Sequence, residues 1–187
     1  MSEPLRQHIE SITLLTDAEF AYVVSLFTTK KMRKHQFLVQ EGETVGHEFY
    51  VLKGCLKAYH LDGVGKEHIL QFAMEDWWIT DFQAYFQQTP ATVYVDCIED
   101  CELLCLTLEN REKLCKEIHK MEHFFRMKLT AGFVALQQRV LSSLNSTIQQ
   151  RYEQLLVSYP QLFQRVPKQL IAAYLGVSRE TLSRLAK

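Results

Sequence analysis

Apolar positions along this chain keep three rhythms in turn: helical, alternating, then helical again. Over residues 5–28, Ile9, Ile12, Leu15, Phe20, Val23, Val24 and Phe27 recur at roughly helical spacing, and Thr16 or Asp17 is placed to cap a second short helix. From Met32 the pattern shortens. Phe37–Val39, Glu48–Leu52, Cys55–Leu61 and Glu67–Ala73 are β-rich runs separated by Gly42, Gly46, Gly54 and the Asp62-Gly63-Val64-Gly65 turn, and two more runs follow at Thr92–Ile98 and Glu102–Leu108. Short strands at such regular intervals predict an antiparallel roll or jelly roll over residues 32–108.

Beyond the roll the chain returns to helix. Between Asn110 and Ser143 there is no proline and a single glycine, Gly132, and Phe125, Leu129, Phe133, Leu136, Val140 and Leu144 follow one another at spacings of 4, 4, 3, 4 and 4. This is close to a coiled-coil seam, to be buried on the chain's own roll or against a twin. Pairing with a twin is the reading adopted, with Phe125, Leu129, Phe133, Leu136 and Val140 as the dimerisation face. Residues 146–158 form another amphipathic helix, stopped by Tyr159-Pro160, whose role is core packing for the C-terminal end.

The last twenty residues, Lys168 to Lys187, have the spacing of a helix-turn-helix. Ala172 supplies the small residue at the crossing, with Ile171 and Leu175 facing inward. Gly176 makes the turn, because glycine enters the left-handed region without a Cβ penalty. Val177 plugs the corner, and Ser178 is positioned to cap a second helix whose buried side carries Leu182 and Leu185. The opposite face carries Arg179, Glu180, Thr181, Ser183 and Arg184. Arginine can take guanine bidentately and glutamate can accept from a cytosine amine, so double-stranded DNA is the expected partner. The competing reading is a plain helical hairpin whose charges only solvate it.

Composition narrows the setting. A chain of 187 residues exceeds one typical domain, and 47% hydrophobic residues can fill real cores. No run approaches a membrane span and the N-terminus lacks a secretory apolar stretch, so a cytoplasmic location is expected. Five cysteines, Cys55, Cys97, Cys101, Cys105 and Cys115, fit reduced thiols better than a disulfide framework. The Cys97, Cys101, Cys105 series reads either as a metal cluster or, preferentially, as small core hydrophobes in a strand pair. The net charge of −1 hides an asymmetry: residues 139–187 hold seven Lys/Arg against Glu153 and Glu180, a balance of +5, leaving −6 for the remainder. Phosphate attraction is needed only where a duplex lies.

This order of elements, with Ser178-Arg179-Glu180-Thr181-Leu182-Ser183-Arg184 as its most specific stretch and the Val51-Leu52-Lys53-Gly54 and Asp62-Gly63 turns in support, resembles the cyclic AMP receptor protein and fumarate-nitrate regulator (Crp/Fnr) family of bacterial transcription factors. The resemblance implies an α+β fold: N-terminal helices and a β-roll effector domain over residues 1–108, a long dimerisation helix over 109–144 and a helix-turn-helix over 145–187. It implies a homodimer on DNA, with RNA polymerase as a further partner and no membrane. Arg179, Glu180 and Arg184 would read bases, while Ser178 and Thr181 would cap or touch phosphates; Lys168 joins this DNA-binding set.

The effector pocket departs from the family pattern. Aligned on Asp100-Cys101-Glu102-Leu103, Thr80-Asp81 stand where cyclic-AMP binders have Gly-Glu, and Ala91-Thr92 where they have Arg-Ser/Thr. Without the arginine that clamps the cyclic phosphate, and with Asp81 to repel it, cyclic AMP is not expected to bind. No cofactor is predicted, an unknown small-molecule effector is allowed for, and no metal site is expected. With no cysteine before Cys55, the family's N-terminal iron–sulfur ligands are missing. Trp77, Trp78, Phe82, Tyr85 and Phe86 form either roll core or the lining for a planar ligand. His60 and His68 should face each other across the hairpin centred on Val64, as solvent-facing imidazoles or as a metal pair. Two further classes stand beside the regulator. One is a sensor with a degenerate DNA-binding end, suggested by the chain stopping at Lys187 without the family's β-wing. The other is a cupin-type enzyme, disfavoured because no ligand-spaced His/Glu set is present.

Overall fold

The computed structural model describes residues 3–185. Two short helices open the fold, α1 (Glu3–Glu10) and α2 (Asp17–Ser25). Thr16 caps α2 reciprocally: its hydroxyl accepts from Glu19 N at 3.2 Å, and its own amide donates to the Glu19 carboxylate at 2.7 Å.

Eight strands follow as two antiparallel four-stranded sheets: β1 (Thr28–Met32), β2 (Phe37–Val39), β3 (His47–Lys53), β4 (Leu56–Leu61), β5 (Glu67–Ala73), β6 (Trp78–Ile79), β7 (Tyr94–Cys97) and β8 (Cys101–Thr107). One sheet runs β1-β8-β3-β6 and the other β2-β7-β4-β5. Helix α3 (Phe82–Gln87) lies between β6 and β7. The roll expected from the sequence is present, with three elements the pattern did not announce. Strand β1 is Thr-Thr-Lys-Lys-Met, nearly all exposed on an edge, so it carries no apolar alternation. Strand β6 and helix α3 are too short for a period to register.

Three cores stack across the molecule. Between the sheets lie Phe49, Val51, Leu56, Ala58, Val95, Leu103 and Cys105. Tyr50, Leu104 and Leu106 point the other way, into a core roofed by α1, α2, α4 (Leu108–Glu117) and the start of α5 (His119–Asn145). Strand β8 is therefore buried on both faces, which is why Leu103–Leu106 reads as an unbroken apolar run. The third core joins the outer face of the second sheet, through Tyr59, Ile69 and Phe72, to α6 (Ile148–Ser158), α7 (Pro160–Arg165), α8 (Lys168–Leu175) and α9 (Arg179–Leu185).

One sequence expectation is corrected here and another is extended. The long helical stretch is broken at Ile118, whose φ of −125° and ψ of 97° leave the helical region, so α4 and α5 are separate. Pro160 ends α6 but also opens α7, because proline at a first helical position gives up an amide that had no partner anyway.

Candidate nucleic-acid interface and effector pocket

Helix α8 stops at Gly176, which sits at φ +71° and ψ +30°, while the amides of Gly176 and Val177 close onto the carbonyls of Ala173 and Ala172 at 3.2 and 2.9 Å. The chain then reverses into α9. The Ser178 hydroxyl accepts from Thr181 N at 3.2 Å and so caps α9. Leu182, 2% exposed, packs inward with Ile171, Ala172 and Leu175. Arg179, Glu180, Ser183 and Arg184 are all solvent-exposed and together line one shallow surface depression. Thr181 is half-buried, and Lys168 is exposed on the first turn of α8. Hydrogen bonds from its own backbone amide and the Ser178 hydroxyl hold the Glu180 carboxyl below the usual carboxylate range. Ala186 and Lys187 lie outside the described residues.

These helices sit on the second sheet. Tyr174 packs on Phe72 at 5.4 Å between ring centroids, and Tyr159 meets Trp77 edge-on at 5.1 Å. Arg165 donates to Glu75 at 2.6 and 3.1 Å and to Glu99 at 2.6 and 3.1 Å. Arg139, from α5, covers the Tyr174 ring at 4.1 Å and donates to the carbonyls of Ile69, at 2.9 Å, and Leu70. The β4–β5 register slips at Leu70, leaving that residue without a partner on β4. Arg139 and Arg165, two of the seven cations counted toward a DNA-facing surplus, thus face the roll. Burial raises the Glu75 carboxyl, but Arg165 and the Gly54 amide more than offset it and leave it below its ordinary range. No sequence rule marks Glu75, Glu99, Arg139, Arg165 or Tyr174, because their partners lie tens of residues away.

The expected effector residues converge. Thr80 and Asp81 are each 4% exposed, as is Ala91. The Thr80 hydroxyl donates to the His47 carbonyl at 2.8 Å. Asp81 caps α3, accepting from Ala84 N at 3.0 Å. Its second oxygen accepts from Thr92 N at 2.7 Å, the Thr92 hydroxyl at 3.0 Å and Val93 N at 3.2 Å. Four donors, none of them a cationic side chain, therefore satisfy one buried carboxylate.

The aromatic segment is divided among cores rather than gathered around one cavity. Tyr85 lies in the inter-sheet core, donating to the Leu106 carbonyl at 3.2 Å, while Trp78 stacks among Tyr50, Phe27 and Phe125. Cys97, Cys101 and Cys105 are at most 5% exposed, packed between the sheets as small hydrophobes. His60 and His68 are register partners, as expected, yet His68 turns to Asp62 at 2.8 Å. That contact, with the amides of Lys66 and Val64, pulls the Asp62 carboxyl down to about 2.

Along α5, Leu129, Phe133, Leu136, Val140 and Leu144 are 45 to 73% exposed, an apolar stripe that the described residues leave largely uncovered. Phe125, expected at the head of this seam, is instead 4% exposed and packed against Trp78, Phe124 and Arg111. Beyond Phe125 the stripe is left exposed, while Arg139 on the same helix still reaches the β5 carbonyls.

The profile described as Cyclic nucleotide-binding domain matches residues 29–118. No curated protein matches the chain. Among solved structures, the chain is similar to the c-di-GMP responsive global regulator CLP of Xanthomonas campestris, with 14% identity and a TM-score of 0.73 over 91% of this chain and 89% of that one. FixK2 of Bradyrhizobium japonicum aligns at 19% identity and a TM-score of 0.68, over 86% and 82%. A Crp/Fnr-family protein from Eubacterium rectale aligns at 15% identity and 0.69, over 91% and 82%. Residues 29–118 thus match the cyclic nucleotide-binding domain profile, and the chain shares its overall fold with these solved structures. Among the described residues, no helix is long and apolar enough to cross a membrane.

Proposed function

We propose that this chain is a homodimeric DNA-binding transcription regulator of the Crp/Fnr type, acting in the cytoplasm, whose effector pocket does not take up cyclic AMP. The observation that carries the reading is α9 itself: capped by Ser178, anchored by Leu182, and presenting Arg179, Glu180, Ser183 and Arg184 to solvent after a left-handed glycine turn. In a helix-turn-helix those positions enter the major groove. Arg179, Glu180 and Arg184 are assigned to base edges, and Ser178, Thr181 and Lys168 to phosphates or capping. Pairing through Leu129, Phe133, Leu136 and Val140 removes the exposed stripe from water and gives the two recognition helices the two-fold relation that paired half-sites need.

Asp81 and Ala91 support the pocket assignment. An incoming cyclic phosphate meets a buried carboxylate whose lone pairs are already satisfied, and Ala91 offers no cation. A buried anion left unpaired costs about 3–5 kcal/mol. Gel shifts of the full chain against random-sequence duplex pools, with and without Arg184→Ala, test the DNA reading. Selection of a defined sequence that Arg184→Ala weakens about tenfold is the expected result, the loss of one good base contact. No selection by the wild type would favour a sensor whose DNA-binding end is degenerate. Calorimetric titration with cyclic AMP should give no heat of binding, and micromolar affinity would sink the pocket assignment.

A further inference from the structure

Beside the apolar core that joins the C-terminal helices to the roll, one guanidinium held by two loops fastens them. Glu75 lies in the β5–β6 connection and Glu99 in the β7–β8 turn, and Arg165 at the end of α7 donates to both, four bonds of 2.6 to 3.1 Å. Arg139 makes a second fastening, linking α5 to the β5 carbonyls and to the ring of Tyr174 on α8. Each of the three bodies, roll, long helix and C-terminal helices, is thereby tied to the other two.

The fastening does not hide the reading face. Arg179, Glu180, Ser183 and Arg184 stay exposed while α8 is docked, so the clamp is compatible with DNA contact. Building on the DNA-binding function proposed above, we infer that Arg165 is a positioning residue: by gripping Glu75 and Glu99 it fixes the attitude of the C-terminal helices on the roll, and so sets the separation of the two recognition helices in a dimer without a bound effector. Fixing that attitude before binding matters because the second half-site contact is intramolecular, and its strength depends on how narrowly the geometry is held. Lysine replaces arginine only in part here, since a single ammonium does not present the planar fork that grips two carboxylates at once.

The test uses the full chain as wild type, Arg165→Met, Arg165→Lys and the roll-side double substitution Glu75→Gln/Glu99→Gln. Spin labels at the exposed positions Gln36 and Gln169 report the distance between roll and C-terminal helices without DNA. A narrow distribution is expected in the wild type, and a broad one in Arg165→Met and in the double substitution. On duplexes carrying two copies of the selected half-site at varied spacing, the wild type should prefer one spacing. Both clamp variants should lose that preference and bind the best duplex about tenfold more weakly, while single half-site affinity and the melting of the roll stay unchanged. Arg165→Lys should fall between. A broad distribution in the wild type, an unchanged spacing preference in Arg165→Met, or tighter binding once the clamp is broken would each overturn the assignment. Failure of the wild type to select any DNA sequence, with the distance still narrow, would instead remove the DNA-binding function on which the assignment rests.

Discussion

Arg111 donates to both carboxylate oxygens of Glu48, at 2.7 and 2.9 Å, with the two side chains 5 and 2% exposed. The guanidinium lies over Phe125 at 4.1 Å and Phe86 at 5.0 Å, so one buried pair joins α4 and β3 to the base of α5 and to α3. Burial raises the Glu48 carboxyl above the usual carboxylate range, and Arg111 offsets part of that rise.

Removing one partner should therefore cost far more than removing both. Arg111→Met leaves Glu48 buried without its cation, where it must either hold a charge or take up a proton, and urea unfolding should show a loss of about 3–5 kcal/mol. The double substitution Arg111→Met/Glu48→Leu should recover most of that loss. Equal destabilisation by the single and double variants would mean that the pair contributes through shape alone.

Two glycines separate strain from crowding. Gly176 has a φ of +71° but open space where a Cβ would stand, so Gly176→Ala should cost about 1 kcal/mol, the strain of the left-handed region. Gly54 has a φ of +108°, and a Cβ there would lie 2.5 Å from Cys101 Sγ and 2.7 Å from the Asp100 carbonyl oxygen. Gly54→Ala should cost more than about 3 kcal/mol because backbone as well as side chain must move. Thermal or urea unfolding of the two variants checks the order.

Phe133 is 68% exposed on α5, so its replacement removes nothing from its own chain's core. Phe133→Glu should leave the unfolding free energy of the protomer within about 0.5 kcal/mol of wild type. The variant should sediment as a monomer, and the wild type should sediment as a dimer. An unchanged sedimentation coefficient would place the subunit contact elsewhere.

His8 sits between Tyr50 and Phe124, at ring distances of 5.0 and 5.6 Å, and Trp78 donates to its Nε2 at 3.2 Å. Burial, and then the charge of Lys128, push its pKa down to about 4. A histidine lowered on folding binds fewer protons folded than unfolded between about 4 and 6.5. Its contribution is thus complete above pH 6.5 and is lost as pH falls toward 4. Wild-type stability should drop by about 1–2 kcal/mol between pH 7 and 5, and His8→Gln should flatten that slope. Parallel slopes would assign the pH dependence to other groups.

Local signals carried the elements well. The start of α2 at Thr16 or Asp17, the Gly176 turn and the Ser178 cap depend on residues within four positions of one another, so spacing reveals them, and the structure selects Thr16. The cross-strand pairing of His60 with His68 followed from the centre of one hairpin. Strand β1 leaves no period in the sequence because an exposed edge strand has no buried face to impose alternation. Phe125 falls on the seam by its period yet is buried in its own core, because periodicity finds a helix face without saying what covers it.

The sequence by itself determined the order of helices and strands, the apolar stripe of α5 and the polar face of α9, since each arises from contacts between near neighbours on one element. Only the tertiary structure decided that Asp81 is held by Thr92 and Val93, that Phe125 belongs to its own core, and that Arg139 and Arg165 spend their charge on the roll. Those partners are brought together by sheet closure and domain docking. Pairings between distant segments are fixed by how the layers pack, and no local period encodes them.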